Sequence, residues 1–243
     1  MKFEKYQGLG NDFIILDEDI DEKRVKELCD RHFGIGADGL IIHTYKDGLP
    51  YMKFFNADGS RAKMCGNGIR CYAAYLYSKK IPYTKIYTLA GIKEIEKIDD
   101  KYKVYMGKAK IDFLEYSYKD LKLNSINTGT EHCVIIADKS LKELEIIAKD
   151  LSNRKDLFPK GTNVNMISIK DRKNIQMYTY ERGVGITLAC GTGACASAYL
   201  ANLKKLVEPK VRVQLLGGVL EITISKDDIY MLGDAKKVFE GEI

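Results

Sequence analysis

The sequence predicts an α+β fold built from two homologous halves. Three observations carry that expectation. The segment "KMCGNGIRC" (63–71) returns as "ACGTGAC" (189–195), which places Cys65 and Cys190 125 positions apart. The same spacing pairs Phe33 with Phe158, Gly36 with Gly161, Asn56 with Glu181, Gly66 with Gly191, Gly68 with Gly193, and Tyr105-Met106 with Tyr230-Met231. In both halves, short runs of strand character outnumber segments of helical periodicity. A repeat of about half the chain is too long for a solenoid unit. It predicts duplicated domains over 1–116 and 117–243.

Each half is expected to follow one plan. A strand opens it, "DFIILD" (12–17) or "HCVIIAD" (132–138). A helix follows over 21–32 or 141–151, where apolar residues recur at helical spacing. Then come a glycine-containing loop and a strand, "ADGLIIHTY" (37–45) or "VNMISI" (164–169). Another strand, "YMKFFNADG" (51–59) or "NIQMYTYERG" (174–183), leads to the cysteine turn. After the turn, "IRCYAAYLYSKK" (69–80) and "ACASAYLANLKK" (194–205) are small and apolar, as in buried helices, with lysines at the exit end of the dipole. "EIEKID" (94–99) and "KVYMGK" (103–108) close the first half; "VRVQLL" (211–216), "LEITIS" (220–225) and "IYML" (229–232) close the second.

Composition narrows the function. Hydrophobic residues make up 45% and charged residues 30%, ordinary for a globular protein. The net charge is +5, with lysines scattered and no aromatic-interleaved basic stripe, so nucleic acid is not implied. Runs such as "FIIL" (13–16) are too short to span a bilayer, and "MKFEKYQG" at the start lacks a signal-peptide core. A cytoplasmic location with no membrane partner is expected. There the six cysteines, Cys29, Cys65, Cys71, Cys133, Cys190 and Cys195, are expected to be thiols, so a special cysteine is chemical rather than a staple.

Cys-Gly-x-Gly ahead of a helix has a physical rationale. Unsatisfied N–H groups and partial positive charge at the helix start stabilise a thiolate. The glycines let a ligand approach those N–H groups, which suit a carboxylate or phosphate. One such cysteine reads more readily as a small structural residue. Two at matching places in a duplicated chain suggest thiols on opposite sides of one cleft. One would take the proton from a carbon beside a bound carboxylate and the other would return a proton to the opposite face, inverting the centre. Helix starts holding the carboxylate would stabilise the enolate-like transition state.

Competing chemistries fit less well. Neither turn has the Lys-Ser/Thr ending of a P-loop. "CGNGIRC" and "CGTGAC" lack C-x-x-C spacing, which disfavours zinc and a redox pair; no metal is expected. No lysine stands out as a Schiff-base partner for pyridoxal phosphate, so no cofactor is expected.

"GLGNDFIILD" (8–17), "FFNADGSRAKMCGNGIRC" (54–71), "FPKGTNVN" (158–165) and "YERGVGITLACGTGAC" (180–195) resemble the signature segments of diaminopimelate epimerases, in order along nearly the whole chain. The resemblance implies two domains, each a barrel-like, mostly antiparallel sheet around a central helix, with terminal strands crossing between halves. It implies cofactor-independent epimerisation of an amino acid, LL-diaminopimelate to the meso isomer, and a homodimer as the common assembly. Carried over by position, Cys65 and Cys190 are the acid–base pair, with His132 and Glu181 tuning them. Gly66, Asn67, Gly191 and Thr192 receive the reacting carboxylate. Asn11, Asn56, Asn163, Glu181 and Arg182 contact substrate.

Each position also has a plainer reading. Asn11 and Asn56 suit turns. Glu181-Arg182 suits a solvated ion pair. His132 suits a core histidine, and Cys29, Cys71 and Cys195 suit packing. Cys133 alternates away from His132, which disfavours a dyad between them. "GTEHC" (129–133) departs from the family's Gly-Asn-Pro-His, with Thr130 at the Asn position and Glu131 at the Pro position. Gly39 stands where some members carry Gln. These departures keep a racemase of another amino acid, such as histidine, and more remotely a non-catalytic carboxylate-binding protein, as alternatives. Two thiols across a substrate-sized cleft are also expected to be able to form a disulfide when it is empty.

Overall fold

Alternating buried and exposed residues mark many of the strands, and the computed structural model describes residues 1–152 and 154–243. It divides into two units, 1–104 with 233–243, and 105–232. The first contains β1 (Lys2–Gly8), β2 (Asn11–Leu16), α1 (Glu22–Cys29), β3 (Gly39–Lys46), β4 (Leu49–Asn56), α2 (Gly66–Ser78), β5 (Lys85–Thr88) and β6 (Gly91–Ile98). Strand β7 (Lys101–Lys108) carries the chain onward. The second contains β8 (Lys110–Tyr118), β9 (Leu121–Asn127), β10 (Glu131–Ile136), α3 (Leu141–Ser152), β11 (Asn163–Asp171), β12 (Asn174–Glu181), the short β13 (Gly185–Ile186), α4 (Gly191–Leu203), β14 (Lys210–Leu215), β15 (Gly218–Ser225) and β16 (Asp228–Asp234) up to Leu232, the last two residues of β16 belonging to the first unit. Strand β17 (Lys236–Glu242) belongs to the first unit. The boundary that the sequence suggests, 116/117, falls within β8.

The strand pairing repeats. In the first unit the order is β17-β1-β2-β3-β4-β5-β6-β7, antiparallel except at β2–β3 and β4–β5. In the second it is β8-β9-β10-β11-β12-β14-β15-β16, antiparallel except at β10–β11 and β12–β14. The two parallel pairings fall at the same places in both orders. The duplication seen in the sequence is therefore a duplication of topology, in a mostly antiparallel α+β fold.

Each sheet has two covered faces. Ile14, Leu16, Leu40, Ile42 and Phe55 pack with Val25, Leu28 and Cys29 of α1. In the second unit Cys133, Ile135, Val164 and Met166 pack with Leu144, Ala148 and Leu151 of α3. The other face carries α2 or α4. From Gly66 to Leu76 every residue of α2 is buried, and α4 packs against β9, β10, β11, β12, β14 and β15. A helix buried nearly all round needs small apolar residues, which "GACASAYLA" (193–201) supplies.

Helix α1 stops at Cys29 rather than extending to residue 32, because Asp30 turns extended (φ −61°, ψ 127°). Its Oδ1 accepts from the N–H groups of His32 and Phe33, drawing the chain into a turn. Strands β1, β5, β8, β9 and β17 were not apparent in the sequence. At Gly39 a Cβ would lie 2.7 Å from both Phe54 Cε2 and Phe55 O, so no longer side chain fits there without movement.

Candidate active site

Each cysteine turn ends as an N-cap. Cys65 (φ −127°, ψ 127°) caps α2 and Cys190 (φ −130°, ψ 107°) caps α4, so both occupy the extended conformation that opens a helix. The leading N–H groups of a helix find no carbonyl acceptor within it, which is why a helix start suits a carboxylate.

In the first unit, Cys65 is half-buried. Its Sγ accepts from the Gly68 N–H at 3.4 Å and lies 3.7 Å from Asn11 Oδ1. Asn11 Nδ2 donates to Asp38 Oδ2 at 2.6 Å, so the Asn11 carbonyl is turned toward the sulfur. The Asn67 amide also donates to that carbonyl, at 3.3 Å. Asp38 is itself held by Arg31, which also bonds both oxygens of Asp12. Burial alone would raise the Asp12 pKa, but hydrogen bonds from Arg31 and Lys5 outweigh it and bring it to about 2. Arg70, fully buried, donates to Gly66 O, Asn67 Oδ1 and Asp234 O, which locks the first turn of α2. Asn56 is exposed at the end of β4 and donates to Ser60 Oγ within its own turn.

In the second unit, Cys190 is buried and its Sγ lies 3.6 Å from Thr192 Oγ1. Thr192 Oγ1 lies 2.9 Å from His132 Nε2, and Thr192 O accepts from Thr128 Oγ1. On the far side of the imidazole, Asn165 Nδ2 donates to His132 Nδ1 at 2.9 Å, and Thr179 Oγ1 donates to Asn165 Oδ1 at 2.9 Å. These side chains come from three neighbouring strands, with Asn165 directly opposite Thr179. Close packing of α4 requires Gly193, where a Cβ would lie 2.5 Å from Asn165 Oδ1.

Burial lowers the His132 pKa to about 3, so the ring is neutral near pH 7. Its Nε2 meets the Thr192 hydroxyl, which in turn meets the sulfur.

The remaining candidates are placed as follows. Asn163 Oδ1 accepts from the Arg182 N–H at 2.9 Å. The exposed Arg182 side chain lies over Gly161, where φ is +75° and a Cβ would stand 2.5 Å from Arg182 Cδ. Glu181 Oε1 accepts from Thr187 Oγ1 at 2.7 Å. Thr130 is exposed, and Glu131 pairs with Lys160 at 3.9 Å. Burial pushes the thiols of Cys71, Cys29 and Cys133 up, to about 11 for Cys29 and about 12 for Cys133, as expected of packing residues. Among the described residues, no group of three His, Cys, Asp or Glu side chains could hold a metal ion, and no helix is long and apolar enough to cross a membrane.

Asp38, Arg70, Thr128, Asn165 and Thr179 were missed in the sequence. A signal existed for Asn165: Asn163 and Asn165 are polar residues two apart in the otherwise apolar "NVNMISI" (163–169), so one face of a buried strand had to carry amides.

Residues 3–111 and 124–238 match the diaminopimelate epimerase family. Over all of this chain and 99% of the relative, the sequence is 39% identical to the diaminopimelate epimerase of Caldanaerobacter subterraneus subsp. tengcongensis. It is 38% identical to diaminopimelate epimerase 1 of a Nostoc species, again over 100% of the chain and 99% of the relative. Among solved structures, a phenazine biosynthesis protein of the PhzF family from Bacillus anthracis superposes with a TM-score of 0.79 at 15% identity, over 100% of this chain and 98% of that one. That likeness concerns the fold. With full-length identity near two-fifths and the family's segments in order, the chain belongs to the diaminopimelate epimerase family.

Proposed function

We propose that the chain inverts the Cα of an amino acid by proton transfer through Cys65 and Cys190, converting LL-diaminopimelate to the meso isomer without a cofactor. The observation that carries this reading is the matched pair of N-cap cysteines, each bonded to polar side chains of its own unit. Relatives named for this activity, aligned end to end at 38–39% identity, support the substrate.

Inversion requires a proton to leave one face of the carbon and another to arrive on the opposite face. A thiolate takes the Cα proton, leaving an enolate-like carbanion. The other cysteine, as a thiol, gives its proton to that carbon and becomes the thiolate. No electrons are exchanged, and the enzyme ends with the roles of its sulfurs reversed. The N–H groups at Gly66-Asn67 and Gly191-Thr192 receive the substrate carboxylate and stabilise the charge that develops on it. Asn11 and Asn67 orient the Cys65 side of the reaction; Thr192, backed by neutral His132, orients the Cys190 side. Glu181, Arg182, Asn163 and Asn56 hold the rest of the substrate. Work in a reducing cytoplasm, which keeps both sulfurs as thiols, and assembly as a homodimer belong to the same reading.

Incubation with a panel of amino acids in deuterated water, under reducing conditions, tests it. LL-diaminopimelate should acquire deuterium at Cα and yield the meso isomer. Faster exchange of histidine would reassign the substrate, and exchange of none would end the proposal.

A further inference from the structure

We propose that Asn165 and Thr179 are positioning residues for Cys190. They hold His132 in one tautomer, so that the Thr192 hydroxyl is turned to donate to the sulfur. The inference rests on reading Cys190 as an acid–base group, but it concerns which way four hydrogen bonds run.

The direction follows from what each group can donate. Thr179 Oγ1 donates to Asn165 Oδ1, which fixes the amide so that its N–H faces His132. His132 Nδ1 therefore accepts. The ring is buried and neutral, with burial alone responsible and no charged side chain contributing, so its one proton sits on Nε2. Nε2–H donates to Thr192 Oγ1. With its oxygen occupied as acceptor by the imidazole, the hydroxyl has its own proton for Cys190 Sγ, 3.6 Å away. A sulfur that receives a hydrogen bond is favoured as thiolate.

The surroundings hold this direction. Asn165, His132 and Thr179 are each at most 1% exposed, so water does not offer alternative partners. Parallel pairing of β10 with β11 and antiparallel pairing of β11 with β12 bring the three strands into this register. The missing Cβ of Gly193 lets α4 rest against Asn165. If the Asn165 amide flipped, its oxygen would face Nδ1 and pull the ring proton there. Nε2 would then accept the Thr192 proton, and that proton would no longer be directed at the sulfur.

Nitrogen-15 NMR of His132 in the intact protein tests the first step without substrate. The wild type should show the Nε2–H tautomer at neutral pH; an Nδ1–H tautomer or an imidazolium would overturn the proposal. Thr179→Val should let the tautomer shift to Nδ1–H. It should also lower the Cys190 thiolate fraction about three- to tenfold, read as the ultraviolet thiolate absorbance that a further Cys190→Ser change removes. Thr179→Ser should restore both signals, and kcat should follow the thiolate fraction. Should Thr179→Val not fold, Asn165→Asp replaces the donor with a carboxylate of similar volume and should place the proton on Nδ1. Wild-type tautomer and wild-type thiolate absorbance in the folded variants would overturn the proposal. Because neither spectrum needs turnover, a failure of the substrate assignment would leave these results standing.

Discussion

His132 Nε2 lies 2.9 Å from Thr192 Oγ1, and that same oxygen lies 3.6 Å from Cys190 Sγ. The histidine thus meets the sulfur through a hydroxyl. The ring is neutral rather than positively charged, since burial lowers its pKa to about 3. Residues that look like separate candidates in the sequence become one chain of hydrogen bonds.

Removing the hydroxyl should be costly and restoring it cheap. Thr192→Val keeps the side-chain shape but loses the hydrogen bond that, in the proposed reaction, reaches a charged sulfur, a bond worth about 1.5–3 kcal/mol. We expect kcat/KM to fall about 10- to 100-fold and Thr192→Ser to recover most of it. Steady-state epimerisation kinetics check this, and wild-type kinetics in Thr192→Val would contradict it.

Neutral His132 also gives stability a pH dependence of known sign. The unfolded histidine takes a proton below about pH 6.5, whereas the folded one resists it until about 3. The lowered pKa therefore contributes stability that is fully present above about pH 6.5 and is lost as the pH falls toward 3. The slope is about 1.4 kcal/mol per pH unit, or about 2 kcal/mol between pH 6.5 and 5. His132→Gln has no proton to take up and should lose that much less over the same interval. Urea unfolding at the two pH values measures it, and equal losses in both proteins would contradict it.

The glycine at 193 is a packing requirement. Alanine is the better helix former by about 1 kcal/mol. Even so, its Cβ would stand 2.5 Å from Asn165 Oδ1 and 3.3 Å from Cys190 Sγ. Overpacking of this kind costs about 1–3 kcal/mol. Gly193→Ala should therefore be less stable than the wild type and impaired in Cα exchange. Chemical denaturation and the exchange assay report the two effects, and a more stable, fully active variant would refute the steric account.

How much of this was legible in the sequence follows from the range of each signal. The N-cap cysteines were legible because Cys-Gly-x-Gly and the helix behind it are local. The duplication was legible because glycines and aromatic residues recur at one spacing. Strand β1 was not, because Lys2, Glu4 and Lys5 obscure the alternation, and its place is set by pairing with β17 at the far end of the chain (Lys2 opposite Glu242). The β8–β9 hairpin was hidden by two register shifts within β8. Asn165 and Thr179 needed the strand register to be seen as neighbours, although an amide in a buried strand was a warning. For His132 the plain reading of a core histidine and the functional one turn out to be compatible: the ring is fully buried and still bonded to the first turn of α4.

The central claim is that two thiols share one inversion. Its most direct test follows deuterium entry at Cα, and the isomer formed, when LL-diaminopimelate is incubated in deuterated water with the wild type, Cys65→Ser and Cys190→Ser. The wild type should give deuterated meso product. Each variant should lose inversion by about 10²- to 10⁴-fold, as expected for removal of a general acid–base group. Wild-type rates of inversion in either variant would contradict the claim.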